Sequence, residues 1–179
     1  MLVALFVGCG PKRNEDDDSV EIAKESNDAA IEDRDEEKDA DFIVNTIAAN
    51  YCEVKLAQLA KNRSKDAGVK EIANMLETDH AKIINQLKAY AAENGISVPL
   101  EETEEQKKDI NDLASESDPD KFDEKWCDML QDKHEKTIDK FEKRLNKTED
   151  LELKNWITET LPSLKNHLAM IKKREDSIN

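Results

Sequence analysis

Asp118–Leu145 reads DPDKFDEKWCDMLQDKHEKTIDKFEKRL, and a single periodicity runs through it. Phe122, Trp126, Leu130, His134, Ile138, Phe141 and Leu145 recur three or four residues apart, the spacing that places side chains on one face of an α-helix. Asp118-Pro119 marks its start: the aspartate can accept from the first free backbone N–H groups, and proline at the first helical position lacks an N–H that would have no partner anyway. A helix this long with one apolar face must bury that face against other elements.

Three more such stripes flank it. Upstream, Phe42, Thr46, Ala49, Glu53, Leu56 and Ala60 form one, interrupted at Asn62–Asp66, where Ser64 or Asp66 can cap the next helix. The second runs Val69, Ala73, Leu76, His80, Ile83, Leu87 and Ala91 and stops at Asn94-Gly95, a usual helix C-terminus. Extended chain is expected around Pro99, then a short helix through Ile110 and Leu113 opened by a Thr103/Gln106 capping box. Downstream, Thr148 can cap a last helix carrying Leu153, Ile157, Leu164, His167, Leu168 and Ile171, with Pro162 inside it removing one backbone bond.

With only 4 Gly and 4 Pro against 39% charged residues, the composition suits long helices with few turns. The expected fold is all-α: an antiparallel four-helix bundle over residues 40–179 with a long crossover and a short extra helix between helices 2 and 3. More than twenty residues separate those two helices, enough to return along the bundle as ferritin-like connections do, although an up-down-up-down path is also compatible.

The N-terminal part has a different character. Residues 1–8, MLVALFVG, are apolar but too short to span a bilayer, and read as a truncated lipoprotein signal segment. Phe6-Val7-Gly8-Cys9 resembles the lipobox of bacterial lipoproteins, which implies lipidation at Cys9 and attachment to the cell envelope, on the outer membrane facing periplasm or surface. Two departures stand against the pattern: Phe6 occupies a position that usually holds Leu, and no basic residue precedes the apolar run. From Gly10 to Asp39 thirteen acids meet five bases, a net of -8 out of -15 for the chain, with no aromatic. Residues 9–39 are therefore expected to be a solvated, disordered tether. So acidic a chain repels phosphate backbones, which excludes nucleic acid as a natural partner and disfavours direct docking on anionic lipid. The membrane, through a lipid anchor, and an envelope protein are the partners expected.

Asp41-Phe42, Glu53-Val54-Lys55-Leu56, Asp79-His80, His134 and Leu161-Pro162-Ser163-Leu164-Lys165-Asn166-His167 together resemble the bacterial family called domain of unknown function 4142, from about Ala40 to Ile171. The resemblance implies a ferritin-like fold and an exported or lipoprotein form; it implies no particular activity. With the anchor signal, the tether and no catalytic motif, the function expected is a binding or structural module of the cell envelope, and the alternative is a metal-binding or metal-dependent redox protein that uses a buried His/Glu layer.

Independently of that resemblance, the chain's 3 histidines, His80, His134 and His167, fall on the apolar stripes of three different helices, and Glu53 falls on the fourth. Buried polar groups are costly unless paired, so the four should meet one another or a ligand. At about 1.5 Å per residue, with the second and third long helices running the same way, Glu53, Glu77, His80, His134 and His167 share a layer about 8 Å deep. Three readings of that layer are open. Carboxylates and imidazoles can form a hydrogen-bonded layer that sets helix register. Two or three histidines with Glu53 or Glu77 can hold one transition ion, Zn, Fe or Cu. Glu77-x-x-His80 has the spacing used by di-iron bundles, yet the last helix offers Leu164-x-x-His167 and the third no inward carboxylate, which argues against a dinuclear centre. Ligation of a haem by two of the histidines is a weaker variant. Asp79 is expected to cap or pair locally. Cys52 and Cys127 are either a disulfide pair, at compatible heights, or small core residues. No glycine-rich phosphate loop, G-x-S-x-G or H-E-x-x-H motif is present.

Overall fold

A computed structural model describes residues 18–178; Cys9 and the signal-like segment lie outside the described residues. Among those described the chain is all-α, with α1 (Ser19–Ala30), α2 (Arg34–Arg63), α3 (Ala67–Glu93), α4 (Glu104–Ala114), α5 (Pro119–Leu145) and α6 (Leu151–Ile178), and no strand. The local signals act as expected. Asp118 accepts from the N–H groups of Asp120 and Lys121, Asp66 caps α3, and Thr103 with Gln106 forms a reciprocal capping box on α4. At the end of α3, Gly95 takes the left-handed conformation at φ 68°, which a side chain would oppose. At the start of α6 it is Asp150, rather than Thr148, whose side chain accepts from the N–H of Leu153; the Thr148 hydroxyl donates to Asp39 instead.

The largest packing interfaces are α2 with α3 and α5 with α6, joined by contacts of α2 with α5 and of α3 with α6. Two apolar clusters result. One gathers Leu56 and Ala60 of α2, Val69 and Leu76 of α3, Phe122, Trp126 and Leu130 of α5, and Ile171 of α6. The other gathers Ile43 and Ile47, Ile83 and Leu87, Phe141, and Leu153 to Leu164 of the same four helices. Each large side chain fully buried here contributes about 1.5–3 kcal/mol, and the Trp126 indole N–H donates to the carbonyl of Leu56, 3.0 Å away, so its polar edge is satisfied. Glu53, His80, His134 and His167, one on each of the four helices, belong to neither cluster and fall at the level where the two meet.

The tether expectation is corrected over residues 18–39. Asp18 caps α1, whose Val20 and Ala23 are buried against Val44 and Ala48 of α2. Asn27 is tied in both directions to the backbone of Ser97 in the crossover, at 3.0 and 2.7 Å. α2 begins at Arg34, not near Ala40: Asp33 accepts from the N–H groups of Asp35 and Glu36, and Asp35, Glu36 and Glu37 fill its first turn. Acidic charge there is matched to the positive end of the helix dipole, so the composition that suggests a solvated tether is also that of a helix start.

A tri-histidine layer as candidate metal centre

His80 on α3, His134 on α5, His167 on α6 and Glu53 on α2 meet in the interior, each no more than 2% exposed. The ring centroids are 5.4 Å apart for His80 and His134, 5.3 Å for His80 and His167, and 5.5 Å for His134 and His167. One ring nitrogen from each lies within 4.8 Å of the other two. Rings packed this closely leave no slot between them for a porphyrin, so the haem variant is set aside.

Each ring has one nitrogen occupied on its outer side. The Asn50 amide donates to the carbonyl of Thr46, 2.7 Å away, which turns its oxygen toward His80 Nδ1, also at 2.7 Å. His134 Nδ1 faces the carbonyl of Leu130 at 2.9 Å. His167 Nε2 faces a carboxylate oxygen of Asp79 at 2.9 Å, with the Ser163 hydroxyl at 3.2 Å. Amide, carbonyl and carboxylate oxygens only accept, so those nitrogens carry the protons. The inward nitrogens, His80 Nε2, His134 Nε2 and His167 Nδ1, are then unprotonated lone pairs. Two of them, His134 Nε2 and His167 Nδ1, point at each other across 3.4 Å with no proton left to share. Glu53 Oε2 stands 3.2 Å from His80 Nε2 and 3.3 Å from His134 Nδ1. Neither Glu53 Oε2 nor His80 Nε2 has a well-aligned hydrogen-bond partner among the described residues.

Burial also sets the charge of the layer. Desolvation holds His80 far below the usual imidazole range, reinforced by the neighbouring His134 and His167, and holds His134 down at about 4. His167 is lowered by burial as well, although its bond to Asp79 works against the shift. Burial raises the Glu53 carboxyl to about 8. At neutral pH the rings are therefore uncharged, which is the form that ligates metals.

Glu77 does not join the layer. Its carboxylate turns to the surface, where it accepts from Lys61 and Gln58, and the Lys61 hydrogen bond lowers its pKa. Among the described residues only Glu53 thus brings a carboxylate to the buried side of the three imidazoles, too few for a carboxylate-bridged pair of ions. Asp79 reaches across to α6 rather than capping its own helix. It is also the solvent-facing edge of the site: its side chain is 40% exposed and, with Ser163 and Trp156, lines a cleft between α3 and α6. Cys52 and Cys127 are free and buried, and burial pushes both thiols up to about 12, so they behave as small apolar side chains. Asn50 is the site residue that the stripes do not single out, although it stands three residues before Glu53 on the same helix.

A family model described as Domain of unknown function (DUF4142) matches residues 24–173. The chain belongs to the DUF4142 family. All four inward residues, together with Asn50, Asp79 and Ser163, lie inside that span. In this DUF4142 chain the match also takes in part of α1 and the whole start of α2. No curated protein and no solved structure matches the chain.

Proposed function

We propose that this protein is a metal-binding helical bundle of the bacterial cell envelope, taking one first-row transition ion of the imidazole-preferring class, Zn, Cu or Fe, on His80, His134 and His167 beside Glu53. The observation that carries the reading is the set of three inward nitrogens left unprotonated by outward hydrogen bonds. Imidazole ligands are commonly oriented by an outer carboxylate, carbonyl or amide; here Asp79, Leu130 and Asn50 occupy that position. Ligands held at ~2.0–2.1 Å on a tetrahedral ion stand about 3.3–3.4 Å apart, and the His134–His167 separation of 3.4 Å agrees with that. A cation would also satisfy two atoms of the layer that are buried without a hydrogen-bond partner among the described residues, Glu53 Oε2 and His80 Nε2. Elemental analysis of protein purified without chelator should find one equivalent of metal, lost in His80→Ala and in His134→Ala. Metal content that neither substitution changes ends the proposal.

The finer architecture proposed is an antiparallel four-helix bundle of ferritin-like connection. It is supported by the way early α2 shares a cluster with late α3 and early α6, while late α2 shares one with early α3 and early α5. Anchoring by lipid on Cys9, in the outer membrane, rests on the lipobox-like sequence alone; radiolabelled palmitate incorporated by the wild type and not by Cys9→Ser tests it. The second reading is an ion-free layer that sets helix register, in which a protonated Glu53 bridges His80 and His134. The raised carboxyl pKa favours it, and the metal analysis separates the two.

A further inference from the structure

Away from the histidine layer, a groove of about 320 Å³ runs between α2 and α5. Phe42, Ala49 and Phe141 give it an apolar floor, with the two phenyl rings packed edge to face at 5.0 Å. Its rim is basic. Lys140, Lys143 and Arg144 share one face of the last turns of α5 at i, i+3 and i+4, Lys147 follows in the turn after the helix, and Lys38 lines the groove from α2; no acidic residue lines it. In a chain with 42 acids against 27 bases, a groove whose lining holds five cations and no acidic side chain runs against the general charge. The helix dipole accounts for Lys143 and Arg144 in the last turn of α5, but not for Lys140, a turn earlier, or for Lys38 on the other wall. Lys38, Lys143 and Arg144 are already matched to Asp35, Asp139 and Asp39. Lys140 and Lys147 have no ion-pair partner among the described residues.

We propose that this groove binds a single-chain anionic amphiphile of the fatty-acid class, its alkyl chain on Phe42, Ala49 and Phe141 and its carboxylate drawn to Lys140 and Lys147. An apolar floor edged by unmatched ammonium groups suits a ligand that is itself apolar with one anionic end. The volume selects one chain over two, because ligand pockets span about 300–1,000 Å³ and this groove lies at the bottom of that range.

Titration of the full chain with laurate below its micellar range, followed by calorimetry, should give saturable binding at one site, weakened by added salt. Lys140→Glu/Lys147→Glu, a change confined to exposed side chains, should weaken it at least tenfold. Ala49→Trp, which fills the groove, should do the same while leaving metal content unchanged. Absence of saturable laurate binding overturns the proposal. So does equal affinity for dodecyltrimethylammonium, or laurate affinity that the lysine substitutions leave intact. Lysine-dependent sedimentation with anionic phospholipid vesicles, without laurate binding, would likewise overturn it and assign the basic face to a membrane surface.

Discussion

In the metal-free protein, Glu53→Gln should remove a loss of stability that the wild type suffers above pH 6.5. The Glu53 carboxyl keeps its proton up to about pH 8 in the folded chain, against an ordinary value of 4.5. Between those values the folded state holds a proton that the unfolded state has released, so stability falls as pH rises, by about 1.4 kcal/mol per pH unit for one group. His134 acts in the opposite sense. Its pKa drops from 6.5 to about 4 on folding, so the stability of its neutral form is present above 6.5 and is lost as pH falls toward 4. His80 and His167 are lowered too and act in the same direction. Below pH 6.5 the carboxyl and the imidazoles oppose each other; from 6.5 to 8 the Glu53 loss is unopposed and amounts to about 2 kcal/mol. For a chain of 179 residues that corresponds to a melting temperature about 4–8 °C lower at pH 8 than at pH 6.5. The amide of the Glu53→Gln variant has no such proton to lose, and its profile should be flat over that interval. Circular-dichroism melts of chelator-treated wild type and Glu53→Gln across pH 5–9 read this directly. Parallel profiles for the two proteins above pH 6.5 would refute the assignment of Glu53 as a buried, protonated group in the layer.

Other expectations follow from neighbouring contacts. Asp79→Asn should lower metal affinity about 10–100-fold, the usual effect of losing an outer partner of a ligating histidine, whereas Glu77→Ala, a change on the surface beside Lys61, should leave affinity unaltered; competitive chelator titration distinguishes them. Asn27→Ala removes two hydrogen bonds that join α1 to the crossover and should cost about 1–3 kcal/mol in urea unfolding; no measurable cost would mean that α1 is not docked. In a Cys9→Ser background, Cys52 and Cys127 should resist thiol reagents until the chain unfolds, because both are buried and their thiols are held protonated; rapid labelling of the native protein would contradict their place in the core.

Most of the helical scaffold can be read from periodicity and caps, because each long stripe continues for several turns and each start is marked by a side chain that accepts backbone N–H groups. The polar layer can be read as well: three histidines and Glu53 interrupt apolar stripes at matching heights, and buried polar groups seek one another. α1 cannot be read in the same way. Only two of its apolar side chains, Val20 and Ala23, are buried, too few to stand out from a net of -8, and its docking depends on Asn27 meeting Ser97, about seventy residues away. Glu77 shows the limit of spacing arguments. It shares the i, i+3 relation with His80, yet it lies on the flank of α3 that faces Lys61 and Gln58, and an exposed ion pair costs less than burying a second carboxylate. Asn50 and Asp79 belong to the site through the ring nitrogens they engage, and that relation exists only once the helices are side by side.

The most direct test of the central claim is anomalous diffraction from crystals grown with one equivalent of zinc. A peak about 2.0–2.1 Å from His80 Nε2, His134 Nε2 and His167 Nδ1, with Asn50, the Leu130 carbonyl and Asp79 still holding the outer nitrogens, is the predicted result. Zinc found only on surface carboxylates, with the three imidazoles hydrogen-bonded to one another, would contradict it.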